Sequence, residues 1–255
     1  MIVDVQVYLS RWPFRRLRGD EPAELVSHLR ARGVVEAWAG SFDALLHRDV
    51  AAVNARLAED CRRHGDGLLV PFGTVNPSLP DWEEDLRRCH EEHGMPGIRL
   101  HPDFHGYGLD DPGFARLLKA AAERRRIVQI AMRMEDERTQ HPRVRVPNTD
   151  PAPLLEVLPK TPGAKVVLLN AHRGLALGML GRLAAAGVAG FDLATLERMG
   201  GLDDFSKGAG PDRVLFGSFF PYFTWESAAL KLRESGLDPD TLAKIRHANA
   251  RRLRA

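Results

Sequence analysis

Eight short runs rich in Val, Ile and Leu alternate with longer amphipathic stretches along the chain, and this alternation constrains the fold more than any other feature of the sequence. The runs cover residues 2–8, 34–39, 67–75, 97–101, 127–132, 164–170, 188–193 and 213–218. Several are apolar at consecutive positions, as strands are when both faces of a parallel sheet are covered. The pattern predicts an α/β fold, namely a (β/α)8 TIM barrel, regular or distorted. A doubly wound open sheet is the alternative.

Helical patterns fill the spaces between these runs. They cover residues 22–31, 49–64, 81–93, 112–124, 151–158, 179–186 and 197–207, and two more at 225–234 and 239–252 follow the last strand. Asp111-Pro112 and Asp238-Pro239 are typical helix starts. The final pattern predicts an extra C-terminal helix. Because no repeat or linker divides the chain, residues 1–255 are predicted to form one domain.

Composition excludes several classes of protein. Lys and Arg number 36 against 34 Asp and Glu, so the net charge of +2 does not favour a nucleic-acid partner. Six of the 36 are Lys, which leaves 30 Arg. Two cysteines outside any CxxC pattern indicate neither disulfides nor a cysteine metal site. Without a signal peptide or a membrane-spanning run, we expect a cytoplasmic protein with no membrane partner. Four tryptophans leave a homo-oligomer interface open.

Three segments carry a resemblance to a known family. Gly-Ile-Arg-Leu-His-Pro at 97–102 is followed by His-Gly-Tyr-Gly-Leu-Asp-Asp-Pro at 105–112. Val-Leu-Phe-Gly-Ser follows at 214–218, and Ile-Arg-His-Ala-Asn-Ala-Arg-Arg-Leu at 245–253. In this order they resemble amidohydrolase-related TIM-barrel proteins, the group that includes aminocarboxymuconate-semialdehyde decarboxylase. The resemblance implies a TIM barrel and a divalent metal. The usual ligands are a His-x-His on the first strand, histidines ending strands five and six, and an Asp after strand eight.

The sequence departs from that ligand pattern at every position. The corresponding residues are Gln6, Tyr8, Ala131, Asn170 and Phe219. Such a set makes a poor zinc site, so we predict that the inherited metal site is absent and that no cofactor is bound. A relocated site built from His101, Asp103, His105 and His172 stays open.

Polar residues cluster where predicted strands end. A charged loop after strand five carries Arg133, Glu135, Asp136, Arg138 and His141, and it belongs to the longest irregular stretch, 133–148. Strand four ends in Arg99, His101, His105 and Tyr107, of which Arg99 and His101 share one face. Arg11 follows strand one, and Asn170 and His172 follow strand six. The carboxyl ends of barrel strands meet at one mouth.

These clusters lead to three hypotheses. The first is a metal-independent hydrolase or lyase for a small anionic, carboxylate-bearing substrate, working by lactone or ester hydrolysis, decarboxylation, or proton-transfer cyclisation or isomerisation. His105, His141 and Asp136 would be catalytic. Substrate would bind to Arg11, Arg99, His101, Tyr107, Arg133, Glu135, Arg138, Asn170 and His172. The second is a catalytically silent barrel that binds a ligand or partner subunit. The third is a metal-dependent hydrolase with relocated ligands.

Overall fold

The computed structural model describes residues 1–171 and 175–255, and within them eight parallel strands follow one another in chain order. They are β1 Ile2–Leu9, β2 Val34–Ser41, β3 Leu69–Gly73, β4 Gly97–Leu100, β5 Ile127–Ala131, β6 Lys165–Leu169, β7 Gly190–Asp192 and β8 Val214–Leu215. The ring closes where the backbone N–H of Tyr8 donates to Phe220 O at 2.9 Å and Val7 pairs with Phe220 as a parallel bridge. The fold is therefore the predicted TIM barrel, and the open-sheet alternative is wrong.

Helices cover the outside of the barrel and follow its last strand. They are α1 Pro22–Arg30, α2 Val50–Gly65, α3 Trp82–Glu91, α4 Pro102–His105, α5 Pro112–Glu123, α6 Leu154–Val157, α7 Leu177–Ala186, α8 Gly201–Ala209, α9 Trp225–Glu234, α10 Pro239–Ala243 and α11 Asn249–Arg254. No helix among the described residues is long and apolar enough to cross a membrane.

Two predicted helices differ from the observed ones. The pattern at 239–252 is not one α-helix, because a π turn, Lys244–Ala248, separates α10 from α11. The turn lies against β8, where Ile245 O accepts a hydrogen bond from the backbone of Phe216 at 3.1 Å. The pattern at 197–207 begins late, since the left-handed backbone at Gly200 (φ 62°) stops a helix from starting earlier.

A third difference concerns the end of strand four. The sequence analysis places no helix directly after His101, yet residues Pro102–His105 form the single turn α4. Pro102 favours the start of that turn, because its φ is already helical. Gly106 ends it at φ 71°. The side chain of His105 is consequently held on a helical turn directly above β4.

Apolar side chains fill two parts of the molecule. One cluster lies between the strands and the outer helices. A second fills the lower bore of the barrel, where Trp38 stacks on Phe72 at 4.8 Å and Leu253 of α11 packs from below. All four tryptophans are 5% exposed or less, so none of them offers an exposed contact for a second copy.

Above that apolar layer, Arg99 crosses the bore of the barrel. The register of β1 against β2 shifts between Asp4 and Val7, which interrupts the ladder there. Arg99 Nη2 donates to Val5 O at 3.1 Å and to Trp38 O at 2.9 Å. Its Nη1 donates to Val7 O at 2.8 Å. The guanidinium therefore satisfies backbone carbonyls that the irregular strand leaves open.

Arg99 was expected to bind an anion, and its surroundings give it different partners. Its Nε donates to Gln129 Oε1 at 2.8 Å, and its side chain is completely buried. Asp4 and Asp192 act on it only through space. All the described hydrogen bonds of Arg99 are therefore made inside the barrel.

A glycine makes room for this arginine. A Cβ built on Gly40 would lie 2.8 Å from Arg99 Nη1 and 3.0 Å from its Cδ. We predict that Gly40→Ala lowers the free energy of unfolding by about 1–3 kcal/mol, the usual effect of overpacking. Urea denaturation followed by circular dichroism measures it. Gly178→Ala, on α7 with open space around it, is the control and should be neutral or slightly stabilising. Equal stability of both variants would contradict the prediction.

Candidate functional site at the barrel mouth

Aromatic side chains close the mouth of the bore. Tyr8 stacks on Phe42 with ring centroids 4.5 Å apart and meets the edge of Phe219 at 5.6 Å. Trp12 packs edge-on against Phe42 at 5.3 Å. These four rings, the aromatic cap, are 2% exposed or less. The cap therefore occupies the space above Arg99 that would otherwise lead from solvent into the bore.

At the positions where the family resemblance implies metal ligands, the residues present do not suit a divalent ion. Ala131 and Phe219 carry no ligand atom, and Tyr8 is packed inside the cap. Asn170 Nδ2 donates to Arg133 O at 2.8 Å. Gln6 is fully buried with both polar side-chain atoms unpartnered, but it is a neutral amide. In residues 1–171 and 175–255, no three His, Cys, Asp or Glu side chains converge as a metal site requires.

A row of titratable side chains runs outward from the cap along the end of β4. Tyr8 Oη lies 3.1 Å from His101 Nε2. The rings of His101 and His105 are 5.9 Å apart, and those of His105 and Tyr107 are 6.4 Å apart. Three buried atoms in this row lack a partner, namely Nδ1 of both histidines and the hydroxyl of Tyr107. The structure thus brings together His101, His105 and Tyr107, three residues predicted from sequence.

Burial keeps both histidines of the row neutral. Desolvation lowers the pKa of His105 and lowers the pKa of His101 well below its ordinary value. His105 Nε2 lies 2.9 Å from Ala44 O. A carbonyl can only accept, so we assign the ring proton to that nitrogen, which leaves Nδ1 as an acceptor. His105 is therefore a preset neutral base rather than a cation at neutral pH.

Asp103, on α4 between the two histidines, titrates nearer to neutrality. Burial raises the pKa of its carboxyl to about 7, although a hydrogen bond from the backbone of Phe104 at 2.9 Å opposes the rise. A carboxyl with such a pKa can donate and accept a proton at physiological pH. From the sequence, Asp103 was predicted only as a ligand of a relocated metal site. The signal in the sequence for a role of Asp103 in proton transfer was its position between His101 and His105.

A cleft of about 330 Å³ opens beside this row, between the segment after β4 and the segment after β5. Asp103 and Tyr107 belong to its lining, and the remaining lining residues are Pro102, Gly106, Gly108, Leu109, Asp110, Pro147, Asn148, Thr149, Asp150 and Pro153. We call it the β4–β5 cleft. Its volume suits a small organic ligand.

Arg133 stands next to that cleft. Its Nε donates to Asn148 Oδ1 at 2.8 Å, and Asn148 is a lining residue. Among the described residues, neither Nη atom of Arg133 has a protein partner. Two parallel N–H groups of this kind can bind a carboxylate in a bidentate manner. The sequence-based prediction for Arg133 as a substrate contact therefore keeps a physical basis.

The other predicted residues lie apart from the row. Arg138 pairs with Asp136 at 2.8 Å on the surface. His141 is exposed and stacks on Phe14 at 6.2 Å. The described contacts of His105 and His141 share no residue, so the two predicted catalytic histidines are not brought together. Arg11 forms an exposed ion pair with Glu21 at 3.0 Å.

Glu135 closes part of the mouth from above. It is 6% exposed and accepts hydrogen bonds from Arg15 at 3.4 Å and from Tyr222 at 3.1 Å. This contact ties the segment after β5 to the segments after β1 and β8. Glu135 thus has two protein partners where a substrate contact was predicted. His172 lies outside the described residues.

The sequence model of the amidohydrolase family matches residues 4–253. The chain belongs to the amidohydrolase family. No curated protein matches it.

Solved structures share the fold of this amidohydrolase-family chain. A 2,6-dihydroxybenzoate decarboxylase complexed with 2,6-dihydroxybenzoate superposes with a TM-score of 0.75 at 16% identity, over 100% of this chain and 99% of that one. A dihydroxybenzoic acid decarboxylase from Polaromonas sp. JS666, with bound manganese and 2-nitroresorcinol, gives 0.75 at 13% identity over 100% and 97%. A 5-carboxyvanillate decarboxylase from Sphingomonas paucimobilis gives 0.70 at 15% identity over 90% and 82%. At these identities the likeness concerns the fold.

Proposed function

We propose that this chain is a metal-independent lyase or hydrolase that acts on a small carboxylate-bearing substrate in the β4–β5 cleft. The observation that carries the proposal is Asp103, a carboxyl with a pKa raised to about 7 that lines a cleft at the carboxyl ends of the strands. This end of a TIM barrel is where active sites form. Similar folds in decarboxylases of aromatic carboxylates support decarboxylation as the first reaction to test.

In a decarboxylation, each residue near the cleft has a definite task. As the bond to the carboxylate carbon breaks, its electron pair stays on the substrate and CO2 leaves. The protonated carboxyl of Asp103 then gives its proton to the substrate carbon that has lost the carboxylate and now carries that electron pair, and solvent reprotonates Asp103. Arg133, whose Nη atoms have no partner among the described residues, orients a carboxylate of the substrate. Tyr107 forms part of the cleft wall together with Asp103.

Metal independence is part of the proposal and rests on the donor set. Ala131, Phe219 and the packed Tyr8 leave the family's usual positions without a suitable ligand group. Dialysis against a chelator should leave turnover unchanged, and added Mn²⁺ or Zn²⁺ should not raise it. Loss of activity on dialysis with recovery on metal addition would instead favour the third hypothesis, a relocated metal site.

Substitution of Asp103 tests the proposal directly. Purified protein would be assayed with a panel of hydroxylated aromatic carboxylates, lactones and carboxylate esters. We predict that Asp103→Asn lowers kcat by about 100-fold or more, the usual contribution of a general acid. Arg133→Ala should mainly raise KM, and Asp240→Asn, an exposed carboxylate on α10, should change neither. Because the acid form is required, kcat for decarboxylation should fall as pH rises above about 7. Unchanged turnover in Asp103→Asn would reject the proposal.

A second candidate function is a binding barrel without catalysis. The aromatic cap supports it, since it closes the bore through which the barrel interior could be reached. Ligand binding in the panel without conversion of any compound, by wild type and Asp103→Asn alike, would favour this candidate.

A further inference from the structure

We infer that the β4–β5 cleft recognises a protonated amine, so that its ligand is an amino-carboxylate rather than a simple anion. The inference rests on the proposed function for the part that concerns the carboxylate group of the ligand. The part that concerns the ammonium group is argued from the cleft alone, namely from two carboxylates at its rim and one buried hydroxyl. It names a substrate class that the resemblance and the comparisons do not.

The first observation is that two carboxylates of the cleft have no cationic partner in the part of the chain that the structure describes. Asp110 and Asp150 line the cleft, and both are exposed at its rim. No Lys or Arg lines the cleft, and in the part of the chain that the structure describes neither carboxylate has a cationic partner. Several carboxylates elsewhere on the surface pair with an arginine, as Asp66 does with Arg30 at 2.9 Å. In a chain with 30 Arg, two unpaired carboxylates on one small cleft favour an external cation.

The second observation is the hydroxyl of Tyr107, which is independent of the acidic rim. Tyr107 lines the cleft, is 8% exposed, and its buried Oη has no hydrogen-bond partner. A buried polar group without a partner is destabilising, so such atoms in proteins are usually satisfied by something. An ammonium group carries three N–H donors. One can reach a hydroxyl oxygen while the others bind carboxylates.

Local geometry holds the two rim carboxylates in place. Asp150 Oδ1 accepts a hydrogen bond from the backbone of Ala152 at 2.9 Å, which fixes its rotamer and leaves Oδ2 available. Asp110 lies against Gly108, where a Cβ would be 2.3 Å from Asp110 Oδ1. Glycine at 108 therefore leaves room for the carboxylate in this position. Ordering before binding lowers the entropic cost of holding a ligand.

Arg133 supplies the opposite charge at the side of the cleft formed by Asn148. Asn148 accepts from Arg133 Nε and also lines the cleft, so the guanidinium lies directly behind the part of the wall that Asn148 forms. A ligand that carries both an ammonium and a carboxylate group satisfies both ends. A simple carboxylate would satisfy Arg133 but would meet Asp110 and Asp150 unfavourably.

Binding of small probes to the whole chain tests this inference without any catalytic assay. The probes are n-butylamine, butyrate and 4-aminobutyrate, titrated by isothermal calorimetry at pH 8 and low salt. We expect 4-aminobutyrate to bind most tightly and butylamine more tightly than butyrate. The double variant Asp110→Asn/Asp150→Asn should weaken butylamine binding by about 10-fold, and Tyr107→Phe by a smaller factor. Asp240→Asn is the matched control and should have no effect.

Two results would overturn the inference. One is butyrate binding as tightly as butylamine, and the other is unchanged butylamine affinity in the Asp110→Asn/Asp150→Asn variant with its circular dichroism intact. The outcome is separate from that of the proposed function. Loss of turnover in Asp103→Asn tests catalysis, whereas probe affinity in the rim variants tests recognition of the amine.

Discussion

Replacing Arg99 with methionine is expected to lower the free energy of unfolding by about 3–5 kcal/mol, the usual effect of removing one partner from a buried charged network. The variant would remove the Arg99 donors from the buried carbonyls of Val7 and Trp38, while Val5 O would keep only its hydrogen bond from Gln129 Nε2 at 2.8 Å. Methionine retains most of the side-chain volume but none of the hydrogen bonds. The loss should therefore come from polar groups rather than from a cavity.

Urea denaturation followed by circular dichroism and tryptophan fluorescence measures the change. Arg99→Lys should recover only part of the stability, since one ammonium group cannot reproduce a fork that reaches three carbonyls and Gln129. Arg62→Met is the control, because Arg62 is exposed on α2 and pairs only with Glu59, so its loss should stay within about 0.5 kcal/mol. If Arg99→Met and Arg62→Met were equally stable, the central role of the guanidinium would be refuted.

The contribution of two buried carboxyls to the stability of the barrel is expected to fall as pH rises from about 4 to about 7. Burial raises the pKa of Asp192 from 3.8 to about 7 and that of Asp4 from 3.8 to about 6. In each case the folded protein keeps a proton that the unfolded chain has already lost. Between about pH 4 and pH 7, folding is therefore disfavoured by each increase in pH, by up to about 1.4 kcal/mol per unit for each carboxyl.

Asp192→Asn isolates this effect. An amide oxygen can still accept the hydrogen bond from the backbone of Asn170, which Asp192 Oδ1 accepts at 2.7 Å. The free energies of unfolding of wild type and variant should differ least near pH 4. The variant should become more stable relative to wild type up to about pH 7, and above that pH the difference should stay constant. Urea midpoints at four pH values between 4 and 8 provide the measurement. A difference that does not change over this range would show that Asp192 titrates normally.

The fold could be predicted from sequence because it depends on local pattern. Residues 97–101 illustrate this: period-2 alternation placed Arg99 and His101 on one face of a strand, and both are fully buried in the bore. The partners of Arg99 could not be predicted, since Val5 and Trp38 are distant in sequence and the irregular register of β1 leaves no clear sequence signal. Likewise, the helical turn that carries His105 depends on Pro102 at its start and Gly106 at its end.

The candidate site was predicted in part for the same reason. The row at the end of β4 is local, so His101, His105 and Tyr107 were found together. The aromatic cap was missed because Trp12, Phe42 and Phe219 follow three different strands and meet only in the folded barrel. His141 was assigned to the same site by its position after strand five, but its ring contacts Phe14 instead. A residue's position directly after a strand predicts that it lies at the mouth of the barrel. It does not predict towards which side of the mouth its side chain points.

The guanidinium in the bore gives the barrel a fixed internal charge. Arg99 Cζ lies 4.6 Å from the centre of the Tyr8 ring, so this charge lies beneath the aromatic cap. The charge belongs to the chain, and no chelator or dilution can remove it. The electrostatic potential inside the barrel is therefore set by the sequence and not by the ions that the solution contains.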